Sequence, residues 1–442
     1  MQTPRADSHS GDAPPGPARP AGRAPYGPQT GLVLTGGGAR AAYQAGALRA
    51  ILDILDPLRS DSFQFPFHII CGTSAGAINA AALAGGAHHP HMSMRRLVRL
   101  WSSLRTAQVY HADAPGLIRT GVRWLGLLSL GWMFSGFARN KPRSLLNNAP
   151  LADLLARSLD FEQIHHNLED GLLTALAVTA SGYSTGQHLT FYQSHSVIEP
   201  WQRALRQAVP AAISVDHLMA SSAIPFIFPA RALDIGGSME WCGDGSMRQL
   251  APISPAIRLG AERVLVIGTG HRDDVHLEAR EGKPPYPSLA QIGGHALSNI
   301  FLDSVAMDIE RLEHINELVA NLQPGVCAAR GVDVKANGTS PNVASGSARA
   351  GTGLSLRPVR ALALGPGTSL DALALEYLHE LPEQAHALFK VLGVSPRAGA
   401  SGGGALMSYL LFEGGYTRRL IELGYADTMQ RSAEVVDFFG TV

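Results

Sequence analysis

A serine with glycines two residues before and two after it is the first group in this chain that invites chemistry: Gly72-Thr73-Ser74-Ala75-Gly76. In a G-x-S-x-G turn from strand to helix, the hydroxyl projects above the sheet, where it can attack an acyl carbonyl. The glycines leave room for a strained backbone and close packing. The pattern is weak by itself, and the chain holds a second match, Gly399-Ala400-Ser401-Gly402-Gly403. Context separates the two. A strand-like apolar run precedes Ser74 and a helix-like run follows it, whereas Ser401 lies in a glycine-rich stretch after Pro396 with no strand before it. Ser74 is therefore the candidate nucleophile; a serine buried at an ordinary helix start is the bland alternative.

A second turn, Gly36-Gly37-Gly38-Ala39-Arg40-Ala41, follows the run 31–35 and opens a helix. Consecutive glycines let the backbone approach a ligand, and a helix N-terminus offers unpaired N–H groups and a positive dipole end. The turn satisfies the dinucleotide fingerprint G-x-G-x-x-G/A. That use wants a carboxylate at the end of the second strand to bind the ribose, but this strand ends Cys71-Gly72-Thr73-Ser74. A P-loop is excluded, because G-x-x-x-x-G-K-[ST] occurs nowhere. What remains is a plain tight turn or the holding of an anion, including the transient oxyanion of a tetrahedral intermediate.

A serine needs a base to be nucleophilic near neutral pH. Asp244, in Trp241-Cys242-Gly243-Asp244-Gly245-Ser246, sits between glycines. A carboxylate there is commonly only a turn former, but beside the two turns above it becomes the leading base. His271, after the run 263–269, is the rival and would complete a Ser–His–acid triad. His88, His89 and His91 form a loop cluster without carboxylate or cysteine partners at ligand spacing, so neither a metal nor another cofactor is expected.

These groups need elements to bring them together. Apolar runs at 31–35, 67–71, 172–179, 263–269 and 359–364 read as buried parallel strands. Helical periodicity covers 40–55, with Gln44, Leu48, Ile51, Leu52 and Leu55 on one face, and also 76–84, 93–105, 149–158, 289–320 and 370–389. The alternation predicts an α/β fold, three-layer α/β/α with a mostly parallel central sheet, whose ligand site lies beyond the carboxyl ends of the strands. Both glycine turns sit at such ends. The length of 442 residues fits one large domain with insertions, or two domains. With 36 basic against 36 acidic residues the formal net charge is zero, which argues against a nucleic-acid partner. Three cysteines (Cys71, Cys242, Cys327) make no disulfide framework and suit a reducing compartment. Cys71 and Cys242, each close to a motif residue, are expected as neighbouring free thiols. The first 28 residues are rich in Pro, Gly and Ala without an apolar stretch, and read as a disordered tail rather than a signal peptide or anchor. Residues 335–357 and 394–404 read as flexible interruptions.

Taken in order, the motifs resemble the patatin-like family of lipid acyl hydrolases. The resemblance rests on Gly36, Gly37, Gly38 and Arg40, the helix start Ala42-Tyr43-Gln44-Ala45-Gly46-Ala47-Leu48, the elbow at 72–76, the block Ser221-Ser222-Ala223-Ile224-Pro225-Phe226-Ile227-Phe228-Pro229, and Asp244-Gly245. It covers about 31–330, with terminal helices at 405–429 as an extension. It implies a histidine-free dyad, with Ser74 as nucleophile, Asp244 as base and His271 a bystander. The loop Gly36, Gly37, Gly38, Ala39 and Arg40 would serve the oxyanion, with the Arg40 side chain beside it, while Gly72, Gly76 and Gly245 shape the two catalytic turns. Ser246 stands where the family usually has Gly or Ala, and is expected to add a hydrogen bond to Asp244. Ala41 replaces a frequent glycine and is expected at an outward or helical position.

The implied activity is cleavage of fatty-acyl esters of (phospho)glycerolipids through an acyl-enzyme, of phospholipase A or lysophospholipase type. The alternatives are a short-chain esterase or thioesterase, a nucleotide-binding protein using the 36–41 loop, and a membrane-associated regulatory protein with a decayed site. The expected organisation is a tail at 1–28, a catalytic domain at 29–330 with a lid-like helical insertion at 109–148, a linker at 331–357, and a C-terminal strand and helices at 358–442 packing on the catalytic domain. Within the insertion, 122–134 is the most apolar stretch, too short for a membrane span and flanked by Arg119, Arg123, Arg139, Lys141 and Arg143. It reads equally as an interfacial lid with peripheral membrane contact or as a buried core helix. The expected setting is cytoplasmic, with a phospholipid or acyl-ester substrate.

Overall fold

The computed structural model describes residues 28–111, 144–270, 286–301, 304–322, 358–394 and 403–440. The stretch 122–134, His271, Cys327, Ser401 and most of the linkers and the tail lie outside them.

Ten strands form one sheet among these residues. They are β1 (Thr30–Leu34), β2 (Ile69–Thr73), β3 (Ala175–Gly182), β4 (His188–Ser194), β5 (Gln202–Arg203), β6 (Arg206–Pro210), β7 (Arg231–Ile235), β8 (Ser238–Asp244), β9 (Arg263–Ile267) and β10 (Arg360–Leu364). The order is β10-β9-β1-β2-β3-β4-β6-β5, with the β7–β8 hairpin attached to β3 through β8. The five strands from β10 to β3 are mutually parallel. They are the five apolar runs of the sequence, and they show why the fold has three layers. Leu32, Leu34, Ile70, Leu176, Val178, Leu265 and Ile267 enter one core. Val33, Ile69, Cys71, Ala175, Ala177, Val264 and Val266, on the opposite side of the pleat, enter another. Strands that bury both faces need helices above and below.

On the first face lie α1 (Ala42–Leu55), α2 (Ala75–Gly85), α3 (Pro90–Ser102), α4 (Thr106–Val109), α5 (Ala149–Ser158), α6 (Phe161–Glu169) and α7 (Val215–Ser221). On the second lie α8 (Ser254–Arg258) and α10 (Ser304–Leu322), while α9 (Leu289–Phe301), between them in the chain, buries Ala290 and Leu297 in the first core. The chain then returns to the first face with α11 (Leu370–Glu376), α12 (Glu383–Val391), α13 (Gly404–Leu410), α14 (Gly414–Gln430) and α15 (Ser432–Phe439). The last long helix, α14, lies directly along α1. A Cβ on Gly46 would fall 2.0 Å from the Ile421 carbonyl oxygen, and one on Gly424 would fall 2.1 Å from that of Tyr43. Only glycine admits backbones this close.

The sequence reading differs from the structure in three ways. The helix expected over 370–389 is two, because Pro382 stands at the N-cap of α12, where a proline ends one helix and can start the next. Strands β4 to β8 were not foreseen; β7 and β8 are half-exposed and lack an apolar run. Their Gly236-Gly237 turn, at φ 61° and 91°, is nonetheless the two-residue hairpin signal. Third, Cys71 and Cys242 are not neighbours. Cys71 pairs with Ala177 and Cys242 with Gly182 on the same strand β3, roughly 16 Å along it, and their side chains enter different cores. Both are buried free thiols, pushed up to about 12 by burial. Among the described residues, no helix is long and apolar enough to cross a membrane.

Candidate active site

Three adjacent strand ends carry the site: β1 leads into the glycine loop, β2 into Ser74, and β9 into Thr269. β1 is also the point where the chain order reverses, with β2 on one side and β9 on the other, which is where sheets of this kind open a crevice. Ser74 is the whole turn between β2 and α2 and holds φ 54°, ψ −129°. That conformation costs of order 1–3 kcal/mol for a side chain with a Cβ, so packing must enforce it. The two flanking glycines do so. A Cβ on Gly72 would meet the Ala77 Cα at 2.5 Å, and one on Gly76 the Leu34 carbonyl at 2.4 Å. The Ser74 N–H donates to Ser221 Oγ at 2.8 Å, which fastens the elbow to α7. Because α2 starts at Ala75, its first N–H groups have no intrahelical acceptor and its positive end faces the elbow.

Asp244 is the last residue of β8 rather than part of an open turn, paired across to Ala180. Its backbone N–H donates to Ala223 at 3.0 Å, and its side chain is fully buried. The Ser74 hydroxyl donates to Oδ2 at 2.6 Å, and the Ser246 amide to Oδ1 at 2.9 Å. Burial pushes this carboxyl from 3.8 up to about 6, while the bonds from Ser74 and Ser246 pull it back in part. The bond from residue 246 is thus made by its backbone N–H, which a glycine or alanine there would also supply. Gly245 is required by space, since a Cβ would meet the Thr179 carbonyl at 2.4 Å. Among the described residues Ser74 Oγ has Asp244 as its hydrogen-bond partner.

The glycine loop is held from two sides. Thr269 Oγ1 donates to the Gly36 carbonyl at 2.6 Å, and a Cβ on Gly37 would lie 2.3 Å from that hydroxyl. Gly38, at φ 54°, presses on the Tyr409 backbone, whose carbonyl oxygen would be 2.2 Å from a Cβ. A 3-10 turn over Gly38–Ala41 then enters α1. The Arg40 N–H is committed to the Gly37 carbonyl at 3.0 Å. The leading donors are therefore Gly38 and Ala39, whose N–H groups open the turn. Ala41 is buried at the junction with α1, the helical rather than the outward position.

The Arg40 side chain departs from expectation. Its guanidinium is turned into the C-terminal helices, where Nε donates to Ser408 Oγ at 2.8 Å and Nη2 pairs with Asp371. Its flat face lies 3.9 Å from the centre of the Tyr409 ring. A second buried network braces the loop from α1, α2 and α3. Gln44 Nε2 donates to the carbonyls of Thr35 and Ile267 at 2.9 and 3.0 Å. Asn79 Nδ2 donates to Ala41 O and Gln44 Oε1, and Trp101 Nε1 to Asn79 Oδ1 at 2.7 Å. Sequence reasoning placed Gln44 on its helix face but missed Asn79, Trp101, Asp371 and Ser408. The signal for Asn79 was a lone amide in an otherwise apolar helix.

Ser74 and Gly38 share one pocket with Ile78, Trp101, Leu104, Leu155, Phe228 and Phe412, a narrow apolar cavity of about 40 Å³. Such a lining receives hydrocarbon and excludes water from the Ser74–Asp244 pair. The histidine cluster lies apart from it. His91 does have a carboxylate partner, Asp56, at 2.7 Å, and among the described residues no group of side chains could hold a metal ion.

The Patatin-like phospholipase family model matches residues 32–257, just over half of the chain. No curated protein matches. VipD from Legionella pneumophila is 14% identical, with 92% of this chain and 67% of that one covered, at a TM-score of 0.35. Human GIVD cytosolic phospholipase A2, in complex with methyl gamma-linolenyl fluorophosphonate, is 14% identical over 93% of this chain and 59% of that one, at 0.38. The type III effector ExoU is 17% identical over 55% and 43%, at 0.25. The chain thus spans between 43% and 67% of these proteins.

Proposed function

The chain belongs to the patatin-like phospholipase family, and from that premise we propose a serine lipid acyl hydrolase that works by a Ser74–Asp244 dyad. The observation that carries this reading is the 2.6 Å bond from the Ser74 hydroxyl to a fully buried carboxylate whose pKa of about 6 leaves it a base at neutral pH. As Ser74 Oγ attacks the acyl carbonyl, its proton passes to Asp244 Oδ2. The carbonyl oxygen becomes an oxyanion and is met by the Gly38 and Ala39 N–H groups and the α2 N-terminus. Collapse expels the alcohol, which takes the proton from Asp244 and leaves an acyl-Ser74 ester. Water then gives its proton to Asp244, attacks that ester, and frees the fatty acid as Ser74 regains its hydrogen.

The apolar pocket supports a fatty-acyl ester, and the family supports a phosphoglycerolipid as its carrier, giving phospholipase A or lysophospholipase activity. The narrowness of the cavity favours, as a second reading, a short-chain ester or thioester. Nucleotide binding has little support: the 36–41 loop faces an apolar cavity and its one arginine turns away. The catalytic unit is placed at 29–330 with 358–442 packed on it, a reading supported by β10 joining the same sheet. The test is incubation with mixed phospholipid vesicles and with short-chain p-nitrophenyl esters, reading products by mass spectrometry. Fatty acid and lysolipid should form, a fluorophosphonate should label Ser74, and Ser74→Ala should abolish both. Full activity in Ser74→Ala, or labelling at Ser401 instead, refutes the assignment.

A further inference from the structure

The family match ends at residue 257, yet the glycine loop is gripped by residues far beyond it. Arg40 is 3% exposed. A guanidinium so buried must have its charge and its donors satisfied. The partners come from two short helices in the C-terminal region. Asp371, second residue of α11, pairs with Nη2, and Ser408, on α13, accepts from Nε at 2.8 Å. Ser408 in turn contacts Asp371 Oδ1 at 3.0 Å, which closes a triangle of three side chains. Tyr409, the next residue, supplies both the ring under the guanidinium and the carbonyl against Gly38. The same segment places Phe412 in the pocket wall.

The position of the pair within the loop matters. Arg40 directly follows Ala39 and follows Gly38 by two residues, so a pull on its side chain acts on the turn that lines one pocket with Ser74. The carboxylate also keeps the arginine out of the cavity. A free guanidinium there would compete with the backbone donors and draw water into a site whose base depends on dryness.

We infer that Asp371, together with Ser408, is a positioning residue of this enzyme: by holding the Arg40 guanidinium among the C-terminal helices it sets the shape of the loop that receives the oxyanion. The inference rests on the Ser74–Asp244 reading. It extends the functional site to a segment outside the family match, and assigns the charge of Arg40 to alignment instead of contact with the substrate.

The experiment compares wild type, Ser74→Ala, Asp371→Asn, Asp371→Glu and Ser408→Ala on one ester substrate. Fluorophosphonate titration counts active sites, so that kcat is expressed per competent enzyme. Asp371→Asn should lower kcat by about 10²-fold, the scale of a misplacement near 1 Å, with KM changed less than about twofold. Asp371→Glu, which keeps the carboxylate at a side chain 30% exposed, should recover kcat to within about fivefold of wild type, which loss of structure alone would not allow. A kcat per site within about twofold of wild type in Asp371→Asn, or a change confined to KM, overturns the inference while leaving the dyad intact. An inactive wild type, or an active Ser74→Ala, overturns the dyad and the inference with it. Should Asp371→Asn give no folded protein, Ser408→Ala decides: a fall of about tenfold in kcat per site supports the inference, and unchanged kcat overturns it.

Discussion

Replacing Asp244 by asparagine should remove the activity and stabilise the protein at once. The carboxyl is fully buried, and its pKa of about 6 against an ordinary 3.8 means that the folded protein holds the proton more tightly than the unfolded chain does. Stability therefore falls as pH rises through that window. It is highest below pH 4, where both states are protonated, and the loss is complete above pH 6. A gap of about two pH units between the two states corresponds to about 3 kcal/mol at neutral pH. Asparagine is neutral at every pH and nearly the same shape. With its oxygen toward the Ser246 amide and its nitrogen toward Ser74 Oγ it keeps both contacts, so most of that 3 kcal/mol should be regained. For a chain of this length the unfolding entropy is about 0.9 kcal/mol per kelvin, so the melting temperature should rise by about 3 °C. Scanning calorimetry of the two proteins at pH 7.5 and pH 4.5 reads the effect, which should be complete at the first pH and about a third as large at the second. Hydrolysis should fall by at least about 10⁴-fold, as when a serine hydrolase loses its general base. His271→Ala is the comparison and should keep most of the activity. A destabilised Asp244→Asn at pH 7.5, an equal shift at both pH values, or retained hydrolysis in that variant alongside a dead His271→Ala would refute the reasoning.

Two other expectations come from the same site. The wild-type profile of kcat/KM against pH should rise through a limb near 6, because only the carboxylate form of Asp244 can take the Ser74 proton; a flat profile between pH 5 and 7.5 would count against a buried base. Gly38→Ala should cost at least about 10²-fold in kcat, since the new methyl group collides with the Tyr409 carbonyl and the φ of 54° disfavours it; esterase kinetics alongside a melting curve check that the loss is local.

The central sheet and the two glycine turns were legible in the sequence because each has a local signature. Strands buried on both faces must be apolar throughout, which made β1, β2, β3, β9 and β10 visible. The elbow around Ser74 and the triple-glycine turn were visible because their backbones forbid other residues. Less legible was whatever depends on pairing across the chain. Asp244 looked like a residue in a glycine turn, since β8 is half-exposed and is held in place by β3 and β7 rather than by its own pattern. Arg40 looked like an oxyanion helper, because nothing in 36–41 tells that Asp371 and Ser408 will claim its charge. Asn79 and Trp101 carry no local mark beyond polarity in an apolar surrounding. The bond between them exists only once α2 and α3 have packed.

The bonds that tie the beginning of the chain to its end also impose an order in time. Arg40 and Ser408 are 368 residues apart, and the Tyr43 hydroxyl reaches Asp427 across 384. At roughly 5–20 residues per second of synthesis, Ser408 leaves the ribosome about 20–70 s after Arg40 and on the order of 10–30 s after Asp244. Throughout that interval the nascent chain carries Ser74 and Asp244 but lacks the helices that hold the glycine loop and the wall at Phe412. Loop closure over such a span is also among the slowest contacts a domain makes. On the proposed dyad, hydrolytic competence is thus deferred until α13 has been made, and a fragment that ends before it has Ser74 and Asp244 without the shape to use them.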